Sequence, residues 1–131
     1  MASIRKEIFL EVTAEKLWDA LRDVGAVHRR LAPGFVTQCR LEGNARVVTF
    51  ANGLTVRELI VDVDDEARRL AYSARSAELE HHHASFQVFD AGNGRCRLVW
   101  RADVLPHEAA KLVGAMMEEG AAVMQKTLEA P

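Results

Sequence analysis

Arg46, Glu58, Tyr72 and His82, spread over the middle of the chain, are of the types that move protons or hold developing charge. Glutamate or histidine can remove a proton, and arginine or tyrosine can steady the enolate that results. Strand alternation puts His82 on one face with Ala84, Phe86 and Val88, which throws His81 and His83 to the other, and it groups Tyr72 with Leu70 and Ala74. Arg46 alternates with Val48 and Phe50. Glu58 alternates with Val56 and Ile60, although Leu59, Val61 and Val63 favour the opposite parity, so periodicity leaves this strand open. Plain structural readings stand beside the chemical ones. Arg46 with Glu58 makes a buried ion pair, Tyr72 a core residue with a satisfied hydroxyl, and His82 an interior histidine whose titration near neutrality would suit acid/base work.

Other candidates fall away on geometry or composition. Three consecutive histidines on a strand point to opposite faces, so His81, His82 and His83 cannot form one metal site unaided. No metal and no cofactor are expected. Cys39 and Cys96 stand far apart without a CxxC pairing, which argues for inert, reduced thiols in a cytoplasmic protein. Arg95, Arg97 and Arg101 alternate along one strand face, but the formal charge is −2, so the stripe reads as solvated and no nucleic-acid partner is expected. No apolar run is long enough to span a membrane, and the first residues lack the apolar core of a signal peptide. The 131 residues read as a single domain, 1-131, with no repeat or linker.

The elements that must position these residues are legible from period and punctuation. A half-buried strand over 4–12 carries Ile4, Lys6, Ile8, Leu10 and Val12 on one side. Thr13 caps a following helix with the buried stripe Leu17, Trp18, Leu21 and Val24, ended by Gly25. A second short helical piece, 26–31, stops at Ala32-Pro33-Gly34. The period then becomes two, giving six strands at 35–41, 45–51, 54–63, 68–75, 81–89 and 95–104. Their turns are rich in Gly, Asn and Asp, including Asn52-Gly53 before an exposed Leu54 at the sheet's rim, which suits a lid and equally a plain hairpin.

The last element is a helix over 106–129, with Pro106 expected at its first position, Glu108 at its anion-favouring end and Lys126 at the other. At 1.5 Å per residue it would be on the order of 36 Å long, enough to cross a small sheet. Its apolar face carries Ala109, Val113, Met116, Met117, Gly120, Met124 and Leu128. Gly114, Ala115, Gly120, Ala121 and the methionines give that face small or pliable residues, which fit either close packing or spare room. The expected class is α+β: a seven-stranded antiparallel sheet curled around a long C-terminal helix, with two short helices after the first strand.

The order of elements, with several short motifs, resembles the START-like superfamily, also called SRPBCC or helix-grip proteins, in its polyketide cyclase/dehydrase-like branch. The carriers are Ala14 to Leu21 (AEKLWDAL), Pro33-Gly34, Arg57-Glu58-Leu59 with Asp64-Asp65, Leu70-Ala71-Tyr72-Ser73, and Val99-Trp100. The resemblance covers nearly the whole chain. It implies a cavity between the curved sheet and the C-terminal helix that holds a small hydrophobic or amphipathic molecule. It turns Glu58 inward, which brings Arg46, Glu58, Tyr72 and His82 into one otherwise apolar chamber. Val48, Phe50, Leu54, Phe86 and Trp100 would wall that chamber from the sheet, and Val113, Met116, Met117 and Gly120 from the helix. Where many relatives have aromatics near the Pro-Gly turn and in the sixth strand, this chain has Leu31 and His82.

Three functions follow as expectations. The first is a binding protein whose fixed Arg46 would suit a carboxylate-bearing ligand. The second is an enzyme of cyclase, dehydrase or hydrolase type using Glu58 or His82 as base. The third is an interaction module whose interior is closed by Trp18, Phe50, Phe86, Trp100 and Met116. The expected partner is a small hydrophobic or amphipathic ligand; a homodimer is also compatible with the sequence.

Overall fold

Alternation of apolar residues produces the sheet, and the computed structural model, which describes residues 2–131, arranges it as a single seven-stranded antiparallel layer. In chain order the elements are β1 (Ala2–Leu10), α1 (Ala14–Arg22), a 3-10 turn (Val24–Ala26) and a π-type turn (Val27–Leu31). There follow β2 (Val36–Glu42), β3 (Ala45–Phe50), β4 (Thr55–Asp64), β5 (Arg69–Arg75), β6 (His81–Gly92), β7 (Arg95–Leu105) and α2 (Ala109–Glu129). The sheet order is β1-β7-β6-β5-β4-β3-β2, so the first strand pairs with the last and the hairpins fill in behind it. Register shifts in β2, β4 and β6 mark β-bulges, which strengthen local twist and help the sheet curl.

The curled sheet has one apolar face, and α1 and α2 cover it. Thr13 Oγ1 accepts the Lys16 backbone N–H at 3.1 Å, the expected cap of α1, whose Leu17, Trp18 and Leu21 are buried. The helix ends at Arg22, before Gly25; that glycine instead lies in the 3-10 turn, where a Cβ would meet Leu41 Cδ1 at 3.1 Å. Chain 24–31 is irregular rather than α-helical, with Ala32 N–H closing onto the Val27 carbonyl five residues back.

Helix α2 packs on β1, β7 and the π-type turn. Its start corrects the sequence expectation. Pro106 follows a cis bond from Leu105 and belongs to the connecting turn, so the helix opens at Ala109 with Glu108 as its N-cap residue. Burial along it is uneven: Met117, Gly120, Ala121, Met124 and Leu128 are buried, whereas Ala115 and Leu112 are exposed. Three hydrogen bonds fix the C-terminal end, from Gln125 Nε2 to the Phe9 carbonyl (3.2 Å), from Lys16 Nζ to the Leu128 carbonyl (3.0 Å) and from Glu11 N–H to Glu129 Oε2 (2.8 Å). Further toward the N-terminal end the tether is the ion pair of Lys6 with Glu118. Among the described residues no helix is long and apolar enough to cross a membrane.

Candidate functional site

The strand faces decide which polar groups meet. In β4 the buried set is Val56 and Glu58 with Ile60 half-buried, and Leu59 and Val61 lie outward. Glu58 pairs across the ladder with Arg46 of β3, and the two side chains meet on the inner face, Arg46 Nε donating to Glu58 Oε1 at 2.8 Å. Both are deeply buried, at 4% and 8% exposure, so the pair is an interior one rather than a surface contact. Arg46 Nη1 donates to the Val24 carbonyl at 3.2 Å. That oxygen is available because the chain after α1 is wound as an irregular turn instead of a continuing helix. The guanidinium also lies over the Tyr72 ring, 5.6 Å from its centroid.

Tyr72 of β5 continues this group into an aromatic row. Its ring stacks on Phe86 of β6, and Phe86 stacks on Trp100 of β7 at a centroid distance of 4.5 Å. Trp100 Nε1 donates to Tyr72 Oη at 3.0 Å. Burial, and then the neighbouring Glu58 carboxylate, push the Tyr72 phenol well above its ordinary pKa, so at neutral pH it is a hydroxyl and not a phenolate.

His82 sits where the β5–β6 ladder gives out. The last paired residues are Tyr72 and Ala84, and beyond them the Ala74 backbone N–H donates to His82 Nδ1 at 3.0 Å, a side chain standing in for a strand carbonyl. Ser73 Oγ donates to the His82 carbonyl at 2.7 Å, which fixes the same junction from the backbone side. Burial first, then the adjacent His83 and His81 imidazoles, pull the His82 pKa down to about 4. The ring is therefore neutral near pH 7.

These four side chains line one cavity of about 110 Å³ between the sheet and α2. The remaining walls are apolar. Val48, Phe50, Phe86 and Trp100 border it from the sheet and Val113, Met116 and Met117 from the helix. Two expected wall residues are elsewhere. Leu54 is half-buried in the β3–β4 turn, outside either strand, and does not line the cavity. Gly120 is packing rather than lining: a Cβ there would stand 3.0 Å from Phe35 Cε2 and 3.3 Å from Trp100 Cη2. Trp18 is also remote, its Nε1 donating to Asp65 Oδ1 at 2.9 Å beside the β4–β5 turn.

Several wall residues were not anticipated: Val27, Leu31 and Ala32 of the irregular segment, Phe35 and Val36 behind it, Leu79 of the β5–β6 loop, and Met124. For Phe35 a signal existed. It directly follows Pro33-Gly34 and meets Phe50 edge-on at 5.3 Å, so the aromatic missing at Leu31 is supplied four residues later. For Leu79 none did, since a loop has no periodicity to read. Cys96 is fully buried with its pKa pushed up to about 11, chiefly by burial, and Cys39 is likewise raised by burial, so both stay protonated thiols near neutral pH.

Comparison with known proteins agrees with this architecture. The family model described as polyketide cyclase / dehydrase and lipid transport matches residues 1–129. Protein XoxI from Bacillus cereus superposes with a TM-score of 0.87 at 18% identity, covering 98% of this chain and 96% of that one. A norcoclaurine synthase point mutant from Thalictrum flavum, in complex with a transition-state analogue, gives 0.73 at 17% identity, covering 97% and 93%. A START superfamily protein from Mycobacterium smegmatis gives 0.74 at 13% identity, covering 97% and 94%. No curated protein matches the sequence. The structural likenesses speak for a START-like fold, and the family model for descent: the chain belongs to the polyketide cyclase / dehydrase and lipid transport family.

Proposed function

We propose that this domain binds a small hydrophobic or amphipathic molecule in the cavity between its sheet and α2, oriented by Arg46, Glu58, Tyr72 and His82. The observation that carries the reading is the composition of one space: four buried polar side chains converge on a void whose other walls are aliphatic, aromatic and methionine. Apolar walls supply affinity and a few fixed polar groups supply orientation. The size sets a condition. At about 110 Å³ the void is well short of the roughly 300 Å³ that a drug-sized ligand needs. A ligand of that size requires Val113, Met116 and Met117 to give way, and methionine side chains do so readily. The half-buried N-terminal part of α2 supports such movement. The void weighs against the filled interaction module.

A cytoplasmic setting belongs to the same proposal, and the free thiols of Cys39 and Cys96 fit a reducing compartment. The test is native mass spectrometry of freshly purified protein with a dye-displacement titration. A co-purifying small molecule or a displaceable apolar dye is expected. A protein that carries nothing and accepts no dye would remove the proposal.

Catalysis in the same cavity is the second reading, favoured by the neutral Tyr72 and His82 beside a carboxylate. Glu58 would take a proton and the two neutral donors would stabilise the enolate, a division of labour that contributes about 10² to 10⁴ in rate from the base alone. Turnover of a polyketone should then fall in His82→Phe by far more than ligand affinity does. Unchanged turnover would take His82 out of the mechanism.

A further inference from the structure

The hydrogens that the cavity leaves unused define its ligand more narrowly than its apolar walls do. Tyr72 Oη accepts the Trp100 indole N–H at 3.0 Å. An indole nitrogen only donates, so the phenol keeps its own proton, and no acceptor for that proton exists among the described residues. The same logic applies to His82. Its Nδ1 accepts the Ala74 backbone N–H at 3.0 Å, and a backbone N–H only donates. The neutral ring must therefore carry its hydrogen on Nε2, which has no partner among the described residues and is not sealed in as the orphan His28 Nδ1 is. The two rings lie 5.7 Å apart, centroid to centroid, on the wall of one cavity. Outside the guanidinium of Arg46, whose charge Glu58 balances, these are, among the described residues, the cavity's two side chains with an idle donor.

The charge balance points the same way. Among the described residues Arg46 is the only cation lining the cavity, and Glu58 already holds it at 2.8 Å. A carboxylate entering this space would lose its hydration, gain no uncommitted cation and lie near the Glu58 carboxylate. We propose that the cavity selects an uncharged ligand whose carbonyl-type oxygen accepts hydrogen bonds from Tyr72 Oη–H and His82 Nε2–H, and that it rejects a carboxylate of the same shape. This rests on the small-molecule reading above and replaces the expectation that Arg46 recruits a carboxylate. The Trp100 N–H polarises the phenol it is bonded to, which makes Tyr72 the better donor of the two.

The experiment uses three probes of nearly equal shape: pinacolone, which carries a ketone; 2,3,3-trimethylbut-1-ene, in which a methylene replaces the oxygen; and pivalate, the carboxylate. Each is titrated into the intact protein by NMR, following the Trp100 indole resonance. Pinacolone is expected to bind at least about tenfold more tightly than pivalate. In Tyr72→Phe pinacolone should weaken about tenfold while the alkene, which tests that the cavity is intact, is unaffected. Should Tyr72→Phe not fold, the isotope-labelled carbonyl carbon of pinacolone decides the matter in the unaltered protein. A bound resonance as far downfield as in water supports the donor pair, and one at its position in hydrocarbon solvent overturns it. Pivalate binding as well as pinacolone, or the ketone and the alkene responding alike to Tyr72→Phe, overturns the selectivity but leaves a ligand-binding cavity in place. If none of the three probes binds, the inference falls together with the reading it rests on.

Discussion

The two ends of the interior, under one helix and one sheet, are built on different terms. At the end covered by α1 and the last turns of α2, Leu10, Leu17, Leu21 and Leu98 are fully enclosed, and three hydrogen bonds pin the helix terminus to β1, to Glu11 just after it and to α1. At the other end the wall is made of Met116, Met117 and Val113 above the Arg46, Glu58, Tyr72 and His82 group. There α2 is half-buried and its opening turn lacks a side-chain cap. Fixed-shape aliphatic side chains fill space and hold the fold, whereas polar groups that must satisfy one another leave gaps that packing cannot close. Stability is concentrated at one end and recognition at the other.

That contrast can be broken most forcefully at the ion pair. Glu58→Ala strands the Arg46 guanidinium in an apolar interior and should cost about 3–5 kcal/mol in chemical denaturation, whereas replacing both partners by apolar residues of similar volume should cost far less. Equal losses would mean that the pair is not as buried as the geometry indicates. The packed end offers the next largest effect. Leu98→Ala should destabilise by about 2–5 kcal/mol. Met116→Ala, at the hollow end, should lose clearly less and widen the range of dyes that bind; a Met116→Ala cost equal to that of Leu98→Ala would erase the distinction between the ends.

His82 makes the hollow end sensitive to acid. Its pKa falls from the ordinary 6.5 to about 4 on folding, so between those values the unfolded chain binds the proton and the folded one does not. Its contribution is therefore complete above about pH 6.5, is lost progressively as the pH falls toward 4, and changes no further below that. The urea midpoint should decline across this window and decline less in His82→Phe. An identical pH profile in the variant would place the titration elsewhere.

The two helix glycines give the finest test. Gly114→Ala meets nothing closer than Ile4 Cγ2 at 4.0 Å, so the helix gains propensity and the protein should be stabilised by up to about 1 kcal/mol. Gly120→Ala gains the same propensity but drives its methyl to 3.0 Å from Phe35, and the net result should be a loss of about 1 kcal/mol. Opposite signs in thermal unfolding support close packing at Gly120 against open space at Gly114, and matching signs would contradict it.

What could be read in advance depended on whether a signal was local. The alternation in β6 and β7 put His82, Phe86 and Trp100 on the inner face without help, because two-residue periodicity is a property of each strand alone. It failed for β4 because the outward Leu59 and Val61 are apolar and a bulge between Ile60 and Asp62 adds a residue, so counting along the strand gives two answers. Only the resemblance to START-like proteins turned Glu58 inward. Gly120 was misplaced for a different reason: helical spacing names the buried face but not which buried residue meets a neighbour's ring and which meets empty space.

The amino-acid sequence by itself determined the succession of strands and helices, the inner faces of most strands and the presence of an arginine, a glutamate, a tyrosine and a histidine able to meet, since these follow from backbone sterics and apolar patterning within each segment. Tertiary structure alone decided that Arg46 is committed to Glu58, that Tyr72 and His82 each hold back one hydrogen, and that a void of about 110 Å³ remains beside them. Those outcomes depend on distances between residues far apart in the chain, which only the closing of the sheet around α2 can set.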